Sequence, residues 1–195
     1  MLKIIPEWFI RYKFFNSLFL GLSVGAIFTL YAPLEPSVYS LGGVILALAM
    51  LIVTRFYNHI LNALWFFRIS LFVEVVLLIA ILYFLYNAYS YQTALLIYIG
   101  YQITFIFGSY LIRAETLLLK TDALLTKLDT VKQLGYLFGM GISYLFYKVI
   151  GIYGIESHQT QVYDLHFLLL GVEVIVIVLV IKSFRRVLSP DNTLE

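Results

Sequence analysis

Long apolar runs separated by short polar stretches dominate the chain. Runs at 14–31, 38–57, 65–86, 93–112, 133–153 and 162–182 are each close to the ~20 apolar residues that a helix needs to cross a bilayer. A transmembrane barrel would instead show short segments alternating apolar with polar. Stretches such as Val75 to Leu82 and Val174 to Ile181 are unbroken, so the pattern predicts six helices. The first run is also too long for a signal peptide. No small-residue cleavage site follows its charged start (Lys3, Arg11, Lys13), so it is expected to stay as a helix.

Between runs four and five the period changes. Over 113–132, Ala114, Leu117, Leu118, Leu124, Leu125, Leu128 and Val131 recur at helical spacing, with Glu115, Asp122, Lys127 and Asp129 mostly off that stripe. This predicts a cytoplasmic amphipathic helix joining the two spans. The tail 189–195 is polar and is expected to be disordered.

Composition narrows the class. The chain is 62% hydrophobic and only 12% charged, which excludes a soluble globular domain, a disordered chain and a nucleic-acid binder. With an inside N-terminus, twelve of the thirteen Lys and Arg fall in inner segments, and Lys148 alone lies outside. The positive-inside bias therefore places both termini in the cytoplasm of a plasma (inner) membrane protein. Tyr83, Tyr86, Tyr89 and Tyr91 crowd one outer loop as an interfacial aromatic belt.

Two features point to an internal duplication. Val73-Glu74-Val75 in the third run and Val172-Glu173-Val174 in the sixth share apolar flanks. The second and fifth runs share small residues, Gly42-Gly43 in one and Gly135, Gly139 and Gly141 in the other. Two three-helix units, 1–100 and 101–195, would have opposite orientation, the inverted repeat found in many secondary transporters.

Candidate chemistry centres on Glu74 and Glu173, each near the middle of its span. A charged side chain there costs roughly 2.5–3.5 kcal/mol on insertion scales. A carboxyl taken out of water can keep a proton that a solvated one gives up, so the pair reads as a proton- or cation-coupling site. Structural hydrogen bonding between helices is the alternative. Arg68 and Arg113, at inner span ends, are candidates for contacting an anionic solute or Glu115, or for snorkelling to headgroups; Gln102 lies inside the fourth span. His158, Asp164 and His166 are weak metal candidates on the outer side. No cofactor is implied. The chain lacks cysteine and any intramembrane catalytic constellation, so no enzyme activity is expected.

Arg113-Ala114-Glu115, followed after the amphipathic stretch by Lys132-Gln133-Leu134-Gly135-Tyr136-Leu137-Phe138-Gly139-Met140-Gly141, resembles the fourth-to-fifth helix passage of major facilitator superfamily transporters. The six-helix count and 3+3 repeat resemble one half of such a transporter. The family's Gly-x-x-x-Asp-Arg-x-Gly-Arg type run between helices two and three is absent, the loop reading Thr54-Arg55-Phe56-Tyr57-Asn58-His59. The resemblance implies a half-sized secondary transporter of a small molecule or ion, working as a homodimer. It also implies that the third and sixth helices sit at the outside of the half. A membrane scaffold or accessory subunit, and a substrate-capture subunit of an uptake system, are the competing readings.

Overall fold

The computed structural model describes residues 2–186. Among the described residues the regular structure is helical apart from two short strands: β1 (Leu2–Ile4), α1 (Pro6–Ser23), α2 (Ile27–Tyr31), α3 (Pro36–Arg55), α4 (Tyr57–Ile60), α5 (Ala63–Tyr86), α6 (Tyr91–Leu119), α7 (Asp122–Ile152), α8 (His158–Lys182) and β2 (Phe184–Arg186). Five of these helices, α3, α5, α6, α7 and α8, are long and apolar enough to cross a membrane. Much of their outward surface is apolar; on α3, Leu41 and Leu51 are 62% and 63% exposed. Such a surface suits lipid and not water.

Local chemistry sets the helix ends. Pro6 and Pro36 occupy first-turn positions, where a missing N–H costs nothing. Asn62 caps α5 by accepting from the N–H groups of Leu64 and Trp65, both at 3.1 Å, and Ser90 caps α6 by accepting from Thr93 at 3.1 Å. The first apolar run is interrupted. Ser23 Oγ donates back to the Leu20 carbonyl at 3.0 Å, competing with the helical ladder, and the chain turns through Val24 to Ala26 before α2.

The separate amphipathic helix expected between spans four and five does not form. Residues 113–119 continue α6 and residues 122–132 open α7, with Lys120 in a left-handed conformation (φ 56°) between them. At 1.5 Å per residue the 31-residue α7 is roughly 46 Å long, well beyond the ~30 Å hydrocarbon layer. The apolar stripe there packs the extensions of two long helices against their neighbours. Leu119 and Leu128 are buried in the main core. The 189–195 tail lies outside the described residues.

At the centre of the bundle α8 packs against both α1 and α5, and α1 reaches α5 through side chains such as Phe9 with Phe66 and Tyr12 with Glu74. Helix α7 lies along α1, α6 along α5, and α3 against α6. The α1–α7 contact brings backbone to backbone. A Cβ at Gly135 would overlap the Phe14 carbonyl, one at Gly139 the Leu18 carbonyl, and one at Gly21 the Tyr136 carbonyl. These glycines let the helix axes approach as in small-xxx-small membrane pairs. Ser143 continues the stripe, and Leu128, Gly135, Gly139 and Ser143 are the only buried residues of α7. Helix α3 has no buried residue; its docking on α6 rests on Gly42, which makes room for the Tyr98 hydroxyl. Gly42→Leu is therefore expected to detach α3 from α6. A disulfide-trapping assay across that contact would read the loss, and Gly43→Leu, facing open space, should leave it intact.

β1 and β2 pair antiparallel, Leu2 opposite Arg186 and Ile4 opposite Phe184, so both ends of the described chain meet on one side of the bundle. The Ile5 N–H donates to the Ser183 carbonyl at 2.8 Å. Phe184 closes this end, with its ring among those of Phe9, Phe66 and Phe67.

Candidate functional site

The α5 stripe that faces the core runs through Phe66, Ile69, Ser70, Val73, Glu74, Leu77, Ala80, Ile81 and Phe84. The α8 stripe runs through Leu165, His166, Leu169, Val172, Glu173, Val176 and Val180. Glu74 and Glu173 thus lie on the buried faces of two helices in contact, 1% and 0% exposed. Their carboxyls come within hydrogen-bonding reach of each other, although 99 residues separate them (173 − 74). Both face protein.

Helix α1 supplies the donors. Tyr12 Oη donates to Glu74 Oε1 at 2.8 Å, and Asn16 Nδ2 donates to the same oxygen at 3.0 Å. Tyr12 and Asn16 are four residues apart, one turn along a single face. Glu74 Oε2 and both Glu173 oxygens have no donor among the described residues. A buried polar atom without a partner is costly, and three on adjoining carboxyls cannot be left unpaired without a proton or a cation to bridge them.

A second buried cluster adjoins the first. Glu115, on the α6 extension, is 4% exposed. Lys13 Nζ approaches its Oε2 at 2.7 Å, and Lys132 of α7 pairs with its Oε1. Lys132 also reaches the exposed Asp129 at 3.5 Å. Adjacent residues of α1 therefore serve two buried acids: Tyr12 binds Glu74 of α5 and Lys13 binds Glu115 of α6. The Lys13 ammonium also acts electrostatically on Glu74 and lies over the Tyr12 ring at 5.1 Å.

Away from these clusters lies a void of about 10 Å³, room for about one water, lined in part by Ser23, Tyr101, His166 and Leu169. The Ser23 hydroxyl, which donates to the Leu20 carbonyl, lies near the Tyr101 phenol. His166 Nδ1 donates to the Val162 carbonyl at 2.6 Å and its ring lies 4.1 Å from that of Phe84. Beyond this layer Tyr89 Oη donates to the Gln159 carbonyl, and burial pushes its pKa up to about 12, so the phenol remains a donor.

The other expected residues are dispersed. Arg68 lies over the Trp65 ring at 5.3 Å, beside a groove lined by Phe56, His59 and Phe107. Arg113 is exposed and, among the described residues, pairs with no carboxylate; Glu115 takes Lys13 and Lys132 instead. Gln102 Oε1 is buried without a donor among the described residues. The metal candidates do not converge. His158 opens α8, Asp164 is half-buried and His166 is inside the core, and the described residues contain no group of three potential metal ligands. His158, Asp164 and His166, on the outer side by the sequence pattern, all fall within the first turns of α8.

Sequence reasoning finds both glutamates but misses Tyr12, Lys13 and Lys132 as partners of the buried acids. The charge pattern presents Lys13 only as an inside-positive anchor. The signal that could have found these residues is Tyr12, Lys13 and Asn16 together at the start of an otherwise apolar run. Comparison with protein-family models, curated proteins and solved structures gives no match for this chain.

Proposed function

We propose that the chain is a half-sized, proton-coupled secondary transporter of a small solute, acting as a homodimer in the plasma membrane, with Glu74 and Glu173 as the coupling groups. The observation that carries this reading is the buried carboxyl pair, which is costly in a bilayer and only partly satisfied by its neighbours. Arg68 and Gln102 remain candidates for solute contact.

The helix pairings support a six-span, 3+3 architecture. Counting α1 with α2 as the first span, α1–α7 corresponds to α6–α3 when the two units are exchanged, and α1–α8 corresponds to α6–α5, while α5–α8 maps onto itself. The β1–β2 pairing brings both ends to one side, as an even number of crossings requires. The little-buried α3 and α7 occupy equivalent places and offer apolar surface for the dimer seam. The void between Ser23, Tyr101 and His166, about 10 Å³, is far too small for a solute, and a second copy would supply the remaining wall of a pathway.

Reconstitution into proteoliposomes carrying an internal pH dye tests the coupling. A pH gradient is expected to drive uptake of a responsive solute from a chemically diverse panel. The Glu74→Gln/Glu173→Gln double variant should lose it by at least tenfold, and full retention of uptake would overturn the reading. Orientation is tested by labelling: a cysteine at Ser157 should react with an impermeant reagent from outside and one at Asp122 should not, both positions being exposed. The accessory-subunit reading draws on α3, which keeps no residue buried within the bundle and so leaves a whole helix for a partner chain. Co-purification of a stoichiometric partner together with a monomeric mass would favour it.

A further inference from the structure

We infer that Glu74 and Glu173 hold one proton between them, carried by Glu173 and donated to Glu74 Oε2, and that Lys13 and Lys132 fix that number by charge balance. The inference deepens the coupling reading and rests on it only for the use to which the proton is put.

Hydrogen bonding assigns the donor. Glu74 already accepts from Tyr12 and Asn16, which favours its ionised form; Glu173 receives no donor from any described side chain. Two carboxylates in contact repel, and neither can satisfy the other. A proton on Glu173 turns the repulsion into an O–H···O⁻ bond, among the stronger hydrogen bonds known in proteins. It gives Glu74 Oε2 its missing donor at the same time.

Charge then sets the count. The groups acting on the pair are Tyr12 and Lys13 on α1 and Tyr101 on α6; Glu115 on α6 is joined to them through Lys13, Lys132 of α7 pairs with Glu115, and His166 lies two turns away on α8. Tyr12 donates as a neutral phenol. His166 is committed through Nδ1–H to a backbone carbonyl. Asp129 is left out of the balance because it is solvated. What remains is two ammonium groups and three buried carboxyls. With no proton the cluster carries one excess negative charge; with two it carries one excess positive charge; with one it is neutral. An uncompensated charge in this low-dielectric setting is the expensive outcome, so the one-proton form is the resting state. Losing that proton would leave Lys13 attracted by two carboxylates of the pair as well as by Glu115, which couples the midplane to the α6–α7 ends.

The test is hydrogen/deuterium infrared difference spectroscopy on the full chain in nanodiscs at neutral pH, reading the carboxylic-acid C=O stretch. Wild type should show one protonated carboxyl per chain. Glu173→Gln should abolish the band. Glu74→Gln, which removes one of the three carboxyls and offers Glu173 an amide donor, should by the same charge balance suppress it as well. Lys13→Met removes a positive charge and should about double the band, whereas Glu115→Gln removes a negative charge and should suppress it. A pair held together by plain neutral hydrogen bonding would respond to neither of these remote changes. Zero or two protonated carboxyls in wild type would overturn the inference, as would a band that vanishes when sodium replaces choline, which would make the pair a cation site. The wild-type count stands even if a variant fails to fold. One acid band without transport would overturn the coupling reading alone; transport with no acid band would overturn this inference.

Discussion

Gly139→Leu is expected to destabilise the bundle by about 3 kcal/mol or more, enough to prevent accumulation of a folded chain. Overpacking a core usually costs about 1–3 kcal/mol because neighbouring side chains shift. Here the obstacle is the Leu18 carbonyl and the Leu22 N–H of α1, which are backbone and cannot shift without moving the helix. That helix also carries Tyr12, Lys13 and Asn16, so separating it from α7 would loosen every donor to the buried acids. Gly141, two residues along, faces open space: a Cβ added there would meet nothing within 4 Å. Gly141→Ala should therefore be neutral or stabilising by up to about 1 kcal/mol, the helix-propensity gain. Thermal unfolding in detergent, compared across Gly139→Ala, Gly139→Leu and Gly141→Ala, checks the ordering. Equal melting temperatures for Gly139→Leu and Gly141→Ala would mean that α1 and α7 are not in close backbone contact.

The second large effect concerns Lys13. Lys13→Ala should cost about 3–5 kcal/mol, the range for breaking a buried ion pair by removing one partner. Glu115 would remain almost wholly buried with Lys132 alone, itself partly solvated and shared with Asp129. The combined change Lys13→Met and Glu115→Gln should recover most of the loss, because it removes both charges and retains the packing volume. Denaturant unfolding of the two single variants and the pair forms a double-mutant cycle. Strict additivity would mean that Lys13 and Glu115 do not interact, and the ion cluster would then be of no account for stability.

The physical difference between these effects bears on what the polar centre is for. The glycine stripe and the ion cluster both hold α1 in place. The glutamate pair adds little of that kind: its bonds to Tyr12 and Asn16 leave three of the pair's four carboxyl oxygens without a donor. Hydrophobic residues of similar volume would pack α5 against α8 without that desolvation cost. A costly group that is not needed for packing is the strongest ground for the functional proposal.

The class of the protein and the reach of its helices are legible in the linear pattern. The five long apolar helices fall on apolar runs read from the sequence; the starts at Pro6 and Pro36 and the caps at Asn62 and Ser90 are local features that the run pattern alone does not place. The pattern also marks Glu74 and Glu173, because a carboxyl inside an apolar run stands out whatever the fold. It misplaces the 113–132 segment: an amphipathic stripe looks the same whether it lies on a membrane or lines the ends of two packed helices, and only the neighbours tell them apart. Three things belong to the packed bundle and to nothing local: the two glutamates meet, Tyr12 and Asn16 serve one of them, and Glu115 takes Lys13 and Lys132 and not Arg68 or Arg113. Those pairings depend on how each helix is rotated about its axis and how closely it approaches the next. In lipid, with no strong hydrophobic drive between helices, that is set by small-residue contacts such as Gly21 with Gly139 and by the polar pairs themselves. A linear pattern carries the face of each helix but not which face meets which.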